Sequence, residues 1–108
     1  MLLIKNAEVY APKYLGKKDV LICGGKIEKI QDEIGPLPID CEVLDAKGKV
    51  LTPGFIDQHV HITGGGGEGS FHTRTPELQL SELVENGITT VVGLLGTDGI
   101  TRSVENLY

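Results

Sequence analysis

Apolar residues fall into two patterns along the chain, and the change comes at Pro53-Gly54. Up to residue 52 they form short β-rich runs broken by tight turns. Leu2 to Tyr10 is the first, ended by Ala11-Pro12. Residues 19–23 and 26–30 are two more, and Gly24-Gly25 between them tolerates the positive φ of a two-residue hairpin turn. Ile27 and Ile30 flank Glu28 and Lys29, as in an imperfectly alternating half-buried strand. Residues 35–40 hold Pro36 and Pro38 and read as a stiffened loop. Residues 42–45 and 49–52 then predict a second hairpin around Ala46-Lys47-Gly48. The pattern predicts a small β-sandwich-like segment over 1–52 with no catalytic constellation.

From 53 to 108 the pattern becomes strand, loop, helix, strand. Residues 55–62 are β-rich, and the glycines at 64–67 with residues 70–74 make a long loop. Thr75 offers an N-cap oxygen, Pro76 suits the first helical position, and Glu77 complements the positive helix end. Leu80, Leu83 and Val84 share a helical face, and Gly87 is a natural C-terminal stop. Residues 88–95 are almost wholly apolar, as in a strand buried on both faces of a parallel sheet. Residues 103–107 read as the start of another helix. The expectation is a βαβ unit in an α/β arrangement.

Composition narrows the classes. The chain has 108 residues and 40% apolar residues, ordinary for a globular protein, but only five aromatics. That is a thin supply of large core fillers, so the isolated fold is expected to be marginal. The net charge of −5 is spread out, without a basic stripe, which argues against a nucleic-acid partner. No apolar run approaches the roughly 18 residues of a membrane span, so no membrane partner is expected. The first residues lack a basic region followed by a long apolar one, so no signal peptide is expected and the location is expected to be cytoplasmic. Cys23 and Cys41 have no CxxC spacing and read as reduced, buried thiols.

The chemistry lies in His59-Val60-His61. Alternate residues of a strand share a face, so these imidazoles stand about 6.6 Å apart along it and can converge on one metal ion. Asp57 has the same parity. Neutral imidazole suits zinc. A hydrogen-bonded structural pair is the rival reading. HxH alone is weakly specific, but a position near the end of an apolar strand, before a Gly-rich loop, is where barrel enzymes place catalytic groups. His72 and Arg74 lie in the polar loop and read as solvated surface. The run Gly64-Gly-Gly-Gly-Glu-Gly69 could cradle a phosphate, but no Lys-Ser/Thr pair follows and Glu68 would repel the anion. The loop reads better as backbone approaching a ligand, with Glu68 meeting a cationic group.

Pro53-Gly-Phe-Ile-Asp-Gln-His-Val-His61 resembles the first barrel strand of the amidohydrolase superfamily. Gly64-Gly-Gly-Gly-Glu68, Thr73-Arg-Thr-Pro-Glu77 and Val91-Val-Gly-Leu-Leu-Gly-Thr-Asp98 resemble the isoaspartyl (β-aspartyl) dipeptidase family within it. The match runs from about Val50 to the end, and the earlier part resembles the family's N-terminal β segment less specifically. The resemblance implies residues 1–52 as part of a small β domain and 53–108 as the first units of a (β/α)8 TIM barrel. It implies two zinc ions per complete active site, with His59 and His61 as metal ligands, and hydrolysis of β-aspartyl dipeptides. Glu68 then matches the carboxylate that receives the substrate's α-amino group, and Gly66 and Thr97 match positions contacting its α-carboxylate. The rival reading of Thr97 is a turn residue. The bridging carbamylated lysine, further histidines and proton-shuttling aspartate of the family match nothing here, so no catalytic residue is assigned. A homo-oligomer is implied for the full-length enzyme.

A complete barrel needs about 250 residues, and this chain supplies about two of eight strand–helix units. These residues alone are therefore expected to be inactive. Two other readings stay open: another amidohydrolase (a cyclic amidase or deaminase), and a non-catalytic module that folds only with its complement.

Overall fold

The computed structural model describes residues 1–96 and 101–107. They form two compact units, Met1–Pro53 and Gly54–Tyr108.

The first unit is one mixed five-stranded sheet. Strands β1 (Leu2–Tyr10), β2 (Tyr14–Cys23) and β3 (Lys26–Gln31) pair antiparallel in chain order. Gly24 and Gly25 take φ of 57° and 76°, the expected two-residue turn. Strand β2 begins at Tyr14, earlier than its apolar run, because Lys17 and Lys18 continue the ladder opposite Glu8 and Ala7. Cross-strand pairing of Glu8 with Lys17 needs no apolar residue and so leaves no apolar signal.

The expected second hairpin does not form. Strands β4 (Glu42–Asp45) and β5 (Val50–Leu51) each run parallel to β1 instead, β4 along residues 2–5 and β5 along residues 8–9. The turn between them is tied to β1: Ala46 N–H donates to Lys5 O (2.8 Å), Gly48 N–H to Asn6 O (2.8 Å), and Glu8 N–H to Lys49 O (3.0 Å). Lys47 and Gly48 are both left-handed (φ 52° and 78°), which steps the chain along the β1 edge rather than folding it back. That edge presents a longer row of unpaired backbone groups than two short strands could offer each other.

A bulge organises the sheet. Ile4 faces Val20 and Ala7 faces Lys18, so Lys5 and Asn6 together oppose Asp19. Asn6 takes φ 58°, a conformation asparagine tolerates better than most residues. The extra residue shifts side-chain parity, and Ile4, Ala7 and Val9 join Val20 in one buried cluster, with Leu2, Ile22, Ala46 and Leu51 packed on it. Asp19 fills the bulge at 2% exposure. Its carboxylate accepts N–H bonds from Asn6 (2.9 Å) and Ile34 (3.0 Å) and pairs with Lys5 at 3.7 Å. The cysteines are free thiols, but Cys23 is exposed and Cys41 half-buried, which corrects the expectation of two buried thiols. Cys23 ends β2 at the open turn, where nothing covers it.

In the second unit β6 (Phe55–Val60) and β7 (Ile88–Gly93) pair in parallel across α1 (Leu80–Glu85), as the βαβ pattern requires. The helix starts later than Thr75 and Pro76 predict. Gln79 is its N-cap, in a capping box with Glu82, whose carboxylate accepts the Gln79 N–H at 2.8 Å. Asn86 caps the other end, and Gly87 follows at φ 72° and donates to Val84 O (3.0 Å). Of the expected apolar face only Leu83 is half-buried; Leu80 and Val84 are exposed. Thr89, Thr90 and Val92 are exposed too, so β7 is not covered on both faces. A two-stranded ladder with a six-residue helix has too little surface to do so. Residues Val104–Leu107 form a 3-10 turn where a helix was expected to begin.

Burial pushes the Asp19 carboxyl up, but the N–H groups of Ile34 and Asn6 and the Lys5 ammonium outweigh it and hold the pKa below the usual value. A depressed folded-state pKa gives stability that is complete above the unfolded value, near 4, and lost as pH falls through the folded one. Asp19→Asn is expected to cost about 2 kcal/mol at neutral pH and to flatten the acid limb of stability. Urea unfolding across pH checks this; an unchanged acid limb in the variant contradicts it.

Candidate metal and substrate site

His59 sits in β6 and His61 lies one residue beyond its end. Their rings approach to 5.2 Å between centroids, edge to face at 83°. His61 Nδ1 lies 3.1 Å from Leu94 O. A carbonyl only accepts, so Nδ1 carries the proton, and the neutral ring in this tautomer has its lone pair on Nε2. A backbone partner on one ring nitrogen is how proteins orient a metal-binding imidazole. The Leu94 N–H in turn donates to Val60 O at 2.8 Å, carrying the β6–β7 pairing past the ladder. Asp57 shares the predicted parity, but its carboxylate accepts the His59 N–H at 3.0 Å. Among the described residues no group of three or more His, Cys, Asp or Glu stands together. The pair therefore fits part of a metal's ligand set and cannot complete a tetrahedral site.

Both imidazoles border an open cleft of about 440 Å3 with Gly65, Gly66, Glu68, Leu95 and Gly96. Four of the residues predicted for the site, His59, His61, Gly66 and Glu68, thus meet at one space. Thr97 lies outside the described residues. A larger depression of about 590 Å3 is lined by Phe71, Arg74, Thr75, Pro76, Glu77 and Gln79 and holds no histidine. His72 is exposed in the 3-10 turn Phe71–Thr73, and Arg74 is half-buried with its guanidinium 5.8 Å from the Phe71 ring centre.

Two glycines of the loop are demanded by sterics. Gly66 has φ 65°, and a Cβ there would lie 2.4 Å from Thr73 O. At Gly64 (φ 86°) a Cβ would lie 2.3 Å from Thr75 O. The two arms of the loop are tied by Thr75, whose N–H donates to Gly65 O (2.9 Å) and whose Oγ accepts the Gly65 N–H (2.6 Å). Thr75 does this in place of the helix-capping role its sequence position predicts.

Arg102 is a site residue that the sequence pattern does not mark. It is 7% exposed and lies against the same loop. Its Nε donates to Thr63 O (2.8 Å), Nη1 to Gly66 O (2.7 Å), and Nη2 to Gly65 O (3.1 Å) and Thr75 O (3.3 Å). All four acceptors are backbone carbonyls at least 27 residues away, so no local motif marks the residue.

A model of the amidohydrolase family matches residues 42–95. The fold superimposes on the β-aspartyl dipeptidase of Fervidobacterium islandicum AW-1, solved with the β-Asp-Leu dipeptide, at a TM-score of 0.82 and 55% identity, over 99% of this chain and 28% of that one. The D-hydantoinase (dihydropyrimidinase) of a Thermus species matches at a TM-score of 0.66 and 32% identity, over 86% of this chain and 20% of that one. In sequence, the dihydroorotase of Staphylococcus epidermidis is 36% identical over 107 residues, 99% of this chain and 24% of its own length. The chain thus spans about a quarter of the length of the proteins it matches.

Gly66→Ala places a side chain in the left-handed region, at about 1–2 kcal/mol, and against Thr73 O. Limited proteolysis within residues 64–75 is expected to accelerate several-fold, about the factor that free energy implies; a rate equal to the parent's contradicts this account of the loop.

Proposed function

The chain belongs to the amidohydrolase family, and on that premise we propose that it carries the first metal-binding strand and a substrate-facing loop of a zinc-dependent β-aspartyl dipeptidase. The observation that carries this reading is the shared cleft: two imidazoles, a carboxylate and a glycine backbone border one space.

Each group has a task that suits such a substrate. A β-linked aspartyl dipeptide sets a free ammonium and a free carboxylate beside the amide to be cleaved. Glu68 presents the carboxylate that pairs with the ammonium. Gly66, whose side-chain-free backbone borders the cleft, offers its N–H to the substrate carboxylate, and Thr97 adds a hydroxyl. His59 and His61 would hold the metal, His61 through the Nε2 that its bond to Leu94 O leaves available. Bound there, zinc supplies Lewis acidity for amide hydrolysis. The higher identity to the β-aspartyl dipeptidase than to the dihydroorotase and hydantoinase supports the dipeptide as substrate.

A second reading, hydrolysis of a cyclic amide, is supported by the dihydroorotase matches across nearly the whole chain. Glu68 separates the two, because a ring amide offers no free ammonium to its carboxylate.

Glu68→Gln keeps the shape and removes the charge. In the full-length, metal-loaded protein it is expected to lower kcat/KM on β-Asp-Leu by about 10- to 100-fold, the worth of a charged hydrogen bond, with metal content unchanged by elemental analysis. Equal loss of metal and activity would sink the assigned role. In the same full-length protein the double variant His59→Ala/His61→Ala is expected to lose divalent metal while keeping its folded circular dichroism spectrum; full metal retention contradicts the ligand assignment.

A further inference from the structure

We infer that Arg102 is a positioning residue for the substrate-binding loop: its guanidinium fixes the peptide planes beside Gly66 and so sets the direction of the Gly66 N–H at the cleft. This rests on the dipeptidase reading only for what the N–H binds.

Gly65 O accepts three donors: Arg102 Nη2 (3.1 Å), Thr75 N–H (2.9 Å) and Thr75 Oγ (3.0 Å). A carbonyl so held cannot rotate without breaking all of them. The Gly65–Gly66 peptide is trans, and in a trans peptide the N–H lies opposite the C=O. Holding Gly65 O against Arg102 and Thr75 therefore turns the Gly66 N–H away from them. Gly66 borders the cleft that also holds His59, His61 and Glu68. The next peptide is held in the same way, with Gly66 O accepting from Arg102 Nη1 at 2.7 Å.

Glycines make this clamp necessary. Residues 64–67 are the most flexible backbone in the chain by composition, and glycine has the most conformational freedom to lose. A donor group left to wander between conformers binds an anion more weakly, because ordering it costs free energy at each binding event. Arg102 removes that freedom in advance. It grips both arms of the loop, Thr63, Gly65 and Gly66 on the outgoing arm and Thr75 on the returning one. Only a planar fork of donors reaches such a spread of acceptors from one side chain; a lysine ammonium is a single point. The residue is 7% exposed, and a charge buried to that degree is retained where its hydrogen bonds are made.

The test compares Arg102→Lys and Arg102→Ala with the parent in the full-length, metal-loaded protein. Two readouts are taken: amide hydrogen exchange across residues 63–75, and steady-state kinetics on β-Asp-Leu. In Arg102→Lys, exchange is expected to rise about tenfold or more in the loop and little elsewhere. KM for β-Asp-Leu is expected to rise about tenfold with kcat changed less than about threefold, the mark of lost binding rather than lost chemistry. In Arg102→Ala, millimolar guanidinium is expected to restore part of the lost affinity. Unchanged loop exchange in Arg102→Lys overturns the inference, as does an increase spread evenly over the whole chain with KM unchanged, which marks a purely structural residue. If Arg102→Ala does not fold, the lysine variant still decides the matter. A parent that leaves β-Asp-Leu intact defeats the dipeptidase reading, and the exchange data then judge the clamp independently.

Discussion

The pairing of β6 with β7 runs one step past its ladder, where the Leu94 N–H donates to Val60 O and Leu94 O accepts from His61. One residue, through its two flanking peptides, thus connects the register of two parallel strands to the orientation of an imidazole. If the strands slipped, His61 would lose the partner that sets its tautomer, and its Nε2 would no longer be held in place. Parallel pairing itself requires a crossover, and the residues that shape it follow from that need. Gln79 and Glu82 start the helix, Gly87 ends it in the left-handed conformation, and Gly87 O then accepts the Phe55 N–H to open the ladder. The loop between His61 and the helix is left to wrap the end of the strands, which puts Gly66 and Glu68 beside the histidines.

The first unit solves a different problem with one extra residue. Without the bulge at Asn6, strict alternation would place Ile4 on one face and Ala7 and Val9 on the other. With it, all three share a core with Val20. The bulge leaves backbone N–H groups that need an acceptor, and the Asp19 carboxylate supplies it for Asn6 and reaches Ile34 as well. A buried charge is tolerated there because its hydrogen bonds and Lys5 offset the desolvation.

Local signals were read well where one residue type had one physical use. The glycine pair at 24–25 and the left-handed stop at Gly87 follow from steric rules that act within a few residues. The HxH motif brought two imidazoles to one face, and the geometry places them 5.2 Å apart. Where residues had several possible partners, the sequence alone was ambiguous. Ala46-Lys47-Gly48 has the composition of a hairpin turn, yet the edge of β1 competes for both flanking strands. Thr75 has the chemistry of a helix cap, yet its hydroxyl serves Gly65. Arg102 had no legible role at all, since four carbonyls distant in sequence define it. The exposure of Leu80, Val84 and Val92 was likewise invisible in a pattern that reports only what a face could bury.

On the proposed reading, the cleft beside His59 and His61 serves a metal-dependent hydrolase that selects a free ammonium next to its scissile amide. The most direct measurement is turnover of β-Asp-Leu and of dihydroorotate by the full-length protein, before and after chelation and again after zinc is restored. The account predicts cleavage of β-Asp-Leu that disappears on chelation and returns with zinc, and negligible turnover of dihydroorotate. Zinc-dependent turnover of dihydroorotate with β-Asp-Leu left intact would contradict it.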